Sequence, residues 1–277
     1  MKTVKFPNGT IVPALGQGTW GMGEGIHSLD EEADCLRAGL DLGLKLIDTA
    51  EMYGNGGAER VVGKALVGRR NEAFVVSKVL PSHASRLGAV EACERSLKNL
   101  RIEKIDLYLL HWQSSTPLDE TVEAFEKLVC QGKIGAWGVS NFDTPIMEEL
   151  EKIAQPGHIA TDQILYNLSR RGPEFDLITW CEKHHIPIMA YSPIEQGRIM
   201  KNRDLIKLAQ NLDIAPSVLA LAWVISRPLM IAIPKTSSVM HLRENTKALD
   251  LILGKDILQK LDGIFLPPTK KQPLEVI

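Results

Sequence analysis

Leu44-Lys-Leu-Ile-Asp48-Thr-Ala-Glu-Met-Tyr53 is a short apolar run that ends in an acid and passes into a loop carrying a phenol. The pattern recurs twice downstream. Phe74-Val-Val-Ser-Lys78 ends in an amine, and Ile105-Asp-Leu-Tyr-Leu-Leu-His111 ends in an imidazole. Each run has the length and apolar content of a strand buried on both faces. Three successive strands therefore bring an acid, a phenol, an amine and an imidazole to one edge of one sheet.

Five more runs of the same kind extend the pattern, giving Ala14–Thr19, Leu44–Asp48, Phe74–Lys78, Ile105–His111, Ile134–Ser140, Ala160–Tyr166, Ile186–Tyr191 and Met230–Lys235. Most successive starts lie about 26 to 32 residues apart, the span of one strand and its crossover helix. Helical patterns fill the gaps. Ser28-Leu-Asp-Glu31 reads as a capping box before Ala33–Leu42, with Gly43 as the stop. Ala58–Leu66, Val90–Leu100, Leu118–Val129, Ile146–Ile153 and Phe175–His184 follow. Leu205–Leu212 and Val218–Ser226, the latter introduced by Pro216, share the longer gap before the last strand. His241–Leu249 and Asp256–Ile264 come after it. At the start, Val4–Phe6 and Ile11–Ala14 flank the turn dipeptide Asn8-Gly9, the mark of a β-hairpin. With no linker or change of composition, the expectation is one α/β domain over residues 1–277. Its fold would be a closed (β/α)8 TIM barrel with an N-terminal hairpin and extra C-terminal helices. Active sites of such barrels lie at the C-terminal strand ends, where the acid, phenol, amine and imidazole fall.

Composition narrows the class further. The chain has 277 residues, 44% hydrophobic and 24% charged, with a net charge of −2. That suffices for a large core and gives no basic stripe, which disfavours nucleic acid or an anionic membrane as partner. No apolar run approaches the length of a membrane span, and the first residues lack a signal-peptide pattern. Cys35, Cys93, Cys130 and Cys181 have no redox-like or metal-like spacing, so reduced thiols and a cytoplasmic setting are expected. The histidines lack paired ligands at useful spacing, and no metal site is expected.

Gly16-Gln-Gly18-Thr-Trp-Gly21 matches the dinucleotide pattern G-x-G-x-x-G, with Asp48 in the place of a ribose-binding acid. That pattern should open directly onto a helix N-terminus. Here Met22-Gly-Glu-Gly25 intervenes and the cap comes only at Ser28. The glycines read better as a tight strand-to-loop turn beside a ligand.

The four rim residues suit proton transfer. An ammonium at Lys78 would stabilise the Tyr53 phenolate, and a carboxylate at Asp48 would keep a buried Lys78 charged. His111 would hydrogen-bond and orient a substrate oxygen. Alone, each is more often structural: a salt bridge for Lys or Asp, packing for Tyr, a satisfied core imidazole for His. Their joint placement favours the functional reading.

The chain resembles the aldo-keto reductases. The resemblance rests on Asp48-Thr-Ala-Glu-Met-Tyr53-Gly54, Val76-Ser-Lys78 and Leu110-His111-Trp112, followed in order by Gly138-Val-Ser140-Asn141-Phe142, Tyr191-Ser192-Pro193 and Ile233-Pro-Lys235-Thr236. It runs from about the hairpin to about Leu261. It is most like that to small bacterial members that reduce methylglyoxal or diketo sugar acids. The resemblance implies an NAD(P)H-dependent reduction of aldehydes or ketones to alcohols, with Tyr53 as proton donor, Lys78 and Asp48 tuning it, and His111 placing the carbonyl. It implies that Ser140, Asn141 and Gln163 hold the nicotinamide carboxamide, that Tyr191 stacks on the ring, and that Thr19, Trp20, Asp48, Ser192 and Pro193 border it. At the far end it implies Lys235, Thr236 and Ser237 on a phosphate, with Glu244 and Asn245 beside the adenine. His241 stands where the family carries an arginine; Lys235 favours NADPH, with NADH as the alternative. Trp20, Met52, His111 and Trp112 would wall a substrate pocket. The short tail, Phe265–Ile277, implies a rather open pocket that takes small carbonyl compounds. A monomer is expected. Two other readings remain: an NADPH-binding redox sensor or regulatory subunit, and a lyase or isomerase with Lys78 as a Schiff-base amine.

Overall fold

The computed structural model describes all 277 residues, Met1–Ile277. Strands β1 (Thr3–Lys5) and β2 (Ile11–Pro13) form the antiparallel hairpin. Phe6, buried just beyond β1, stacks on Phe74 with ring centroids 5.4 Å apart. Phe74 is the first residue of a central strand, so the hairpin closes the N-terminal end of the sheet.

That sheet has eight parallel strands: β3 (Gln17–Gly18), β4 (Leu46–Asp48), β5 (Phe74–Val79), β6 (Ile105–Leu110), β7 (Ile134–Ser140), β8 (Ile159–Leu165), β9 (Ile188–Tyr191) and β10 (Met230–Ala232). They stand side by side in chain order. The outermost pair then meets. Gly16 N–H donates to Ala232 O at 2.8 Å, Ala232 N–H to Ala14 O at 2.9 Å, and Gly18 N–H to Pro234 O at 2.9 Å. The barrel is closed along this seam, as the eight-run pattern predicts.

Helices cover the outside: α1 (Leu29–Asp41), α2 (Gly57–Ala65), α3 (Gly88–Leu100), α4 (Leu118–Cys130), α5 (Thr144–Ile153), α6 (Leu177–Lys183), α7 (Arg203–Asn211) and α8 (Pro216–Val224). Then α9 (Val239–Thr246) and α10 (Lys255–Ile264) follow the last strand. The capping box of Ser28 and Glu31 is present at the start of α1. Helix α8 is apolar on every side and buried from Val218 to Val224. No single helix is long and apolar enough to cross a membrane.

Several boundaries differ from the sequence expectation, each for a local reason. The last strand stops at Ala232 because Pro234 has no N–H to continue the ladder. The segment Phe175–His184 is not one helix. A 3-10 turn over Gly172–Phe175 precedes α6, and the Asp176 side chain caps α6 by accepting from Leu177 N–H. Helix α9 starts at Val239, two residues before the expected His241, because Ser238 caps it.

Of the three glycines in Gly16–Gly21, Gly21 forms the expected turn, and the other two need correction. A Cβ on Gly16 would lie 2.6 Å from Leu46 Cδ2 and 3.0 Å from Leu46 O, and one on Gly18 would lie 2.9 Å from Ile233 O. They are close-approach positions at the barrel seam, and the turn with positive φ comes later, at Gly21. Overpacking the seam at Gly16→Ala should lower unfolding stability by about 1–3 kcal/mol. The urea midpoint reports this; an unchanged midpoint would mean that the seam has room to relax.

Candidate active site

Strand register sets the site. Asp48 pairs with Val76, Lys78 with Leu109, Leu109 with Gly138, and Ser140 with Gln163. Side chains alternate along a strand, so Asp48, Lys78, His111, Ser140 and Gln163 all fall on the barrel's inner face. The register shifts between Trp137 and Val139, next to Ser140, as bulges beside sites often do.

At the centre lies Lys78, fully buried. Its Nζ donates to Asp48 Oδ2 at 2.9 Å, to Thr49 O at 2.8 Å and to the Tyr53 hydroxyl oxygen at 3.2 Å. An ammonium has three protons, and all three are used. The second Asp48 oxygen, Oδ1, accepts from Gln163 Nε2 at 2.8 Å, which ties β8 to β4 across the barrel. Sequence reading placed Gln163 only toward a ligand; the Asp48 bond joins residues too far apart in the chain for any local pattern to signal it.

Protonation follows from this packing. Burial pushes the Lys78 ammonium down, but Asp48 and Tyr53 more than offset this and hold it above its ordinary value. Burial raises the Tyr53 phenol, and Lys78 only partly opposes the rise. The expected net lowering of Tyr53 is therefore corrected: the hydroxyl keeps its proton more firmly than a free phenol. Because Lys78 donates to the Tyr53 oxygen, the Tyr53 O–H is left to donate toward the cavity. Burial, and then the Lys78 charge, push the His111 imidazole down to about 3. His111 is thus neutral, and its Nδ1 is buried without a partner.

Tyr53 reaches this place through a loop after β4. Trp20 packs edge-on against its ring, with centroids 5.0 Å apart. The Trp20 loop is pinned by the buried Glu32, which accepts from Gly23 N–H at 2.8 Å. Gly23 has φ +73, and a Cβ there would meet Gly57 backbone at 2.3 Å.

A cavity of about 650 Å³ opens over these groups. Asp48, Tyr53 and His111 line it, as do Thr19, Trp20, Met52 and Trp112. Ser140, Asn141, Gln163, Tyr191, Ser192, Pro193 and Lys235 line it too. Lys78 lies beneath, within reach only through its partners. Asn141 has φ +61. Its Nδ2 donates to His111 O at 3.1 Å, and its Oδ1 accepts from the Tyr191 hydroxyl at 2.9 Å. The remaining predicted residues do not line the cavity. Thr236, Ser237, His241, Glu244 and Asn245 lie on the β10–α9 connection and on α9. There Lys235 Nζ donates to Ser237 Oγ at 3.0 Å, and Ser238 Oγ accepts from His241 N–H at 3.4 Å.

Lining residues that sequence reading missed are Ile26, Ile194, Gln196, Gly197, Val276 and Ile277, among others. Short as it is, the tail reaches the site: Val276 and Ile277 form part of the cavity wall, and the tail is held by ion pairs of Lys271 with Asp176 and of Glu275 with Arg170. The tail carries no periodic pattern that could have signalled this.

A closed barrel with an acid–amine–phenol array under a cleft at its C-terminal mouth is an arrangement suited to moving a proton at a substrate oxygen. The family model for the aldo/keto reductase family matches residues 14–265. The chain is 45% identical over 281 residues to methylglyoxal reductase YeaE of Escherichia coli strain K12, covering 100% of this chain and 99% of that protein. It is 30% identical to a glyoxal reductase of Bacillus subtilis strain 168, covering 95% and 92%. An aldo-keto reductase from Klebsiella pneumoniae, solved in complex with NADPH, superposes with a TM-score of 0.96 at 48% identity, covering 100% and 99%. The chain belongs to the aldo/keto reductase family, and its enzyme class is oxidoreductase.

The neutral state of His111 can be observed directly. Its imidazole NMR signals should stay fixed from pH 8 down to about pH 5, unlike a free imidazole, which titrates near about 6.5. A midpoint above pH 6 would contradict the buried, lysine-facing environment.

Proposed function

We propose that this protein reduces small, uncharged aldehydes and ketones of the methylglyoxal type to alcohols, using NADPH. The observation that carries the reading is the Lys78 donation to the Tyr53 oxygen, which aims the one phenolic proton at the cavity. Tyr53 is the proton donor in this reading, and Lys78 and Asp48 fix its position and charge state. Neutral His111 can donate from its imidazole to the carbonyl oxygen and hold it beside Tyr53.

The cavity residues fit a nicotinamide. Asn141 Oδ1 keeps a second lone pair after accepting from Tyr191, and Gln163 Oε1 makes no bond within the chain. Those two acceptors suit the N–H2 of a carboxamide. Tyr191 offers its ring as a stacking face, while Ser140 Oγ is anchored on Gln163 O at 2.7 Å. Lys235, Ser237 and the capped start of α9 suit a phosphate, which favours NADPH over NADH. Bound NADPH would supply the hydride. His241 takes the outer position on α9 in this reading, with Glu244 and Asn245 toward the adenine.

Substrate charge is limited by the wall. The side chains Trp20, Met52, Trp112 and Val276 are apolar, and the only lysine or arginine lining the cavity is Lys235. A carboxylated substrate would be desolvated there without a partner. That argues against diketo sugar acids. The complete Asp48–Lys78–Tyr53 array argues against a role as redox sensor alone, and a Schiff-base reading leaves Tyr53 without a task. A cytoplasmic monomer remains part of the proposal, in keeping with four unpaired cysteines.

The test follows NADPH loss with methylglyoxal and, in parallel, pyruvate. Wild type should turn over methylglyoxal with a kcat/KM at least about tenfold above that for pyruvate. Tyr53→Phe should lose about a hundred- to ten-thousand-fold in rate while binding NADPH normally. Substantial rate in that variant would remove Tyr53 as the donor, and equal use of pyruvate would remove the charge argument.

A further inference from the structure

Two irregular segments border the cavity. One follows β9: a 3-10 stretch over Glu195–Lys201, broken at Gln196 (φ 52) and Gly197 (φ 83). Ile194, Gln196 and Gly197 line the cavity. The other is the tail, whose Val276 and Ile277 line it as well. Ile277 and Tyr191, whose hydroxyl also holds Asn141, face the same cavity. The tail has no helix or strand to fix it beyond Ile264, so its position depends on side-chain ties.

Besides the Lys271–Asp176 pair, one of those ties runs from Glu275 to Arg170. Its Nε and Nη2 donate to Glu195 Oε1 at 3.2 and 3.0 Å, and its Nη1 donates to Glu275 Oε1. Glu195 is a fixed pivot. It is only 4% exposed and also accepts from Asn167 Nδ2 at 2.7 Å and Arg198 Nη2 at 2.9 Å. Its backbone is left-handed, with φ 50, a conformation that persists in a non-glycine residue only when its surroundings hold it there. Arg170 is the one side chain that hydrogen-bonds to both segments. Its planar fork can serve two carboxylates at once, which a lysine's point charge does less well.

We propose that Arg170 is a positioning residue that holds the tail wall in register with the Ile194–Gly197 segment. Through Glu275 it sets how closely Val276 and Ile277 confine the substrate. Through Glu195 it holds the segment that follows Tyr191, Ser192 and Pro193 along the cavity wall; Tyr191 is the ring that the functional proposal offers to the nicotinamide, and to that extent the inference rests on that proposal. The two carboxylates separate the two effects. Glu275 transmits only the tail half, whereas Arg170 transmits both.

The experiment compares wild type, Glu275→Gln, Arg170→Ala and Arg170→Lys. Three readouts are taken: the NADPH dissociation constant by tryptophan fluorescence, KM and kcat for methylglyoxal, and the kcat/KM ratio of 4-nitrobenzaldehyde to methylglyoxal. Half-exposed ion pairs are weak, so the expected changes are modest. Glu275→Gln should raise KM about two- to fivefold and shift the ratio toward the bulkier aldehyde. Its kcat and NADPH affinity should stay as in wild type. Arg170→Ala should show the same KM and ratio changes together with weaker NADPH binding, and Arg170→Lys should recover part of each. Unchanged KM and ratio in Glu275→Gln would overturn the tail half. Unchanged NADPH binding in Arg170→Ala would overturn the cofactor half. A wild type that binds NADPH but turns over neither aldehyde defeats the substrate reading instead, and the binding arm still tests Arg170.

Discussion

The structure is organised around a fully buried ammonium with every proton accounted for. Removing an ion from water costs several kcal/mol even after the protein relaxes, and only close partners repay it. Lys78 has a carboxylate, a carbonyl and a phenol within hydrogen-bond distance. This requires β4 and β5 to pair in one register only, because a slip by one residue would turn Lys78 outward and leave Asp48 alone. It also requires the barrel to close. Asp48 receives its second bond from Gln163 on β8, on a part of the barrel that reaches β4 only through the curvature of the sheet. The seam at Gly16 and Gly18, where Gly18 pairs with Asp48 itself, is therefore part of what holds the ammonium in place.

From that arrangement the division of labour follows. Lys78 donates to Tyr53 and cannot accept, so the phenolic proton has to be used elsewhere, and the cavity is the open direction. Burial keeps that proton on Tyr53, and the nearby positive charge keeps a proton off His111. One site thus holds a protonated phenol and a neutral imidazole side by side, with ring centroids 5.7 Å apart. A donor and an orienter that do not compete for the same proton are what the reduction of a carbonyl oxygen asks for. The apolar wall of Trp20, Met52 and Trp112 then limits what reaches them.

Much of this was legible in the sequence because the barrel repeats. Buried runs ending in Asp48, Lys78 and His111 announce both the strands and the rim, and the period of two assigns their common face. Tyr53 was legible only as a loop residue following Asp48, and its family motif added the role. Features that depend on contacts between distant segments stayed hidden. The Gln163 bond to Asp48, the seam function of Gly16 and the return of Val276 and Ile277 to the cavity wall leave no local pattern. The sign of the Tyr53 shift was hidden for a related reason: it depends on how deeply the ring is buried, which outweighs the lysine beside it. The short last strand is the exception, since Pro234 stands in the sequence and has no N–H to extend the ladder.

The claim that Lys78 positions a firmly protonated Tyr53 is tested most directly by the pH dependence of kcat/KM for NADPH-driven reduction of methylglyoxal. With Tyr53 protonated well above neutrality and His111 uncharged throughout, the profile should be flat from about pH 6 to 9. It should fall only above about pH 10, as the phenol ionises. A decline with a midpoint between pH 6 and 8 would contradict the account.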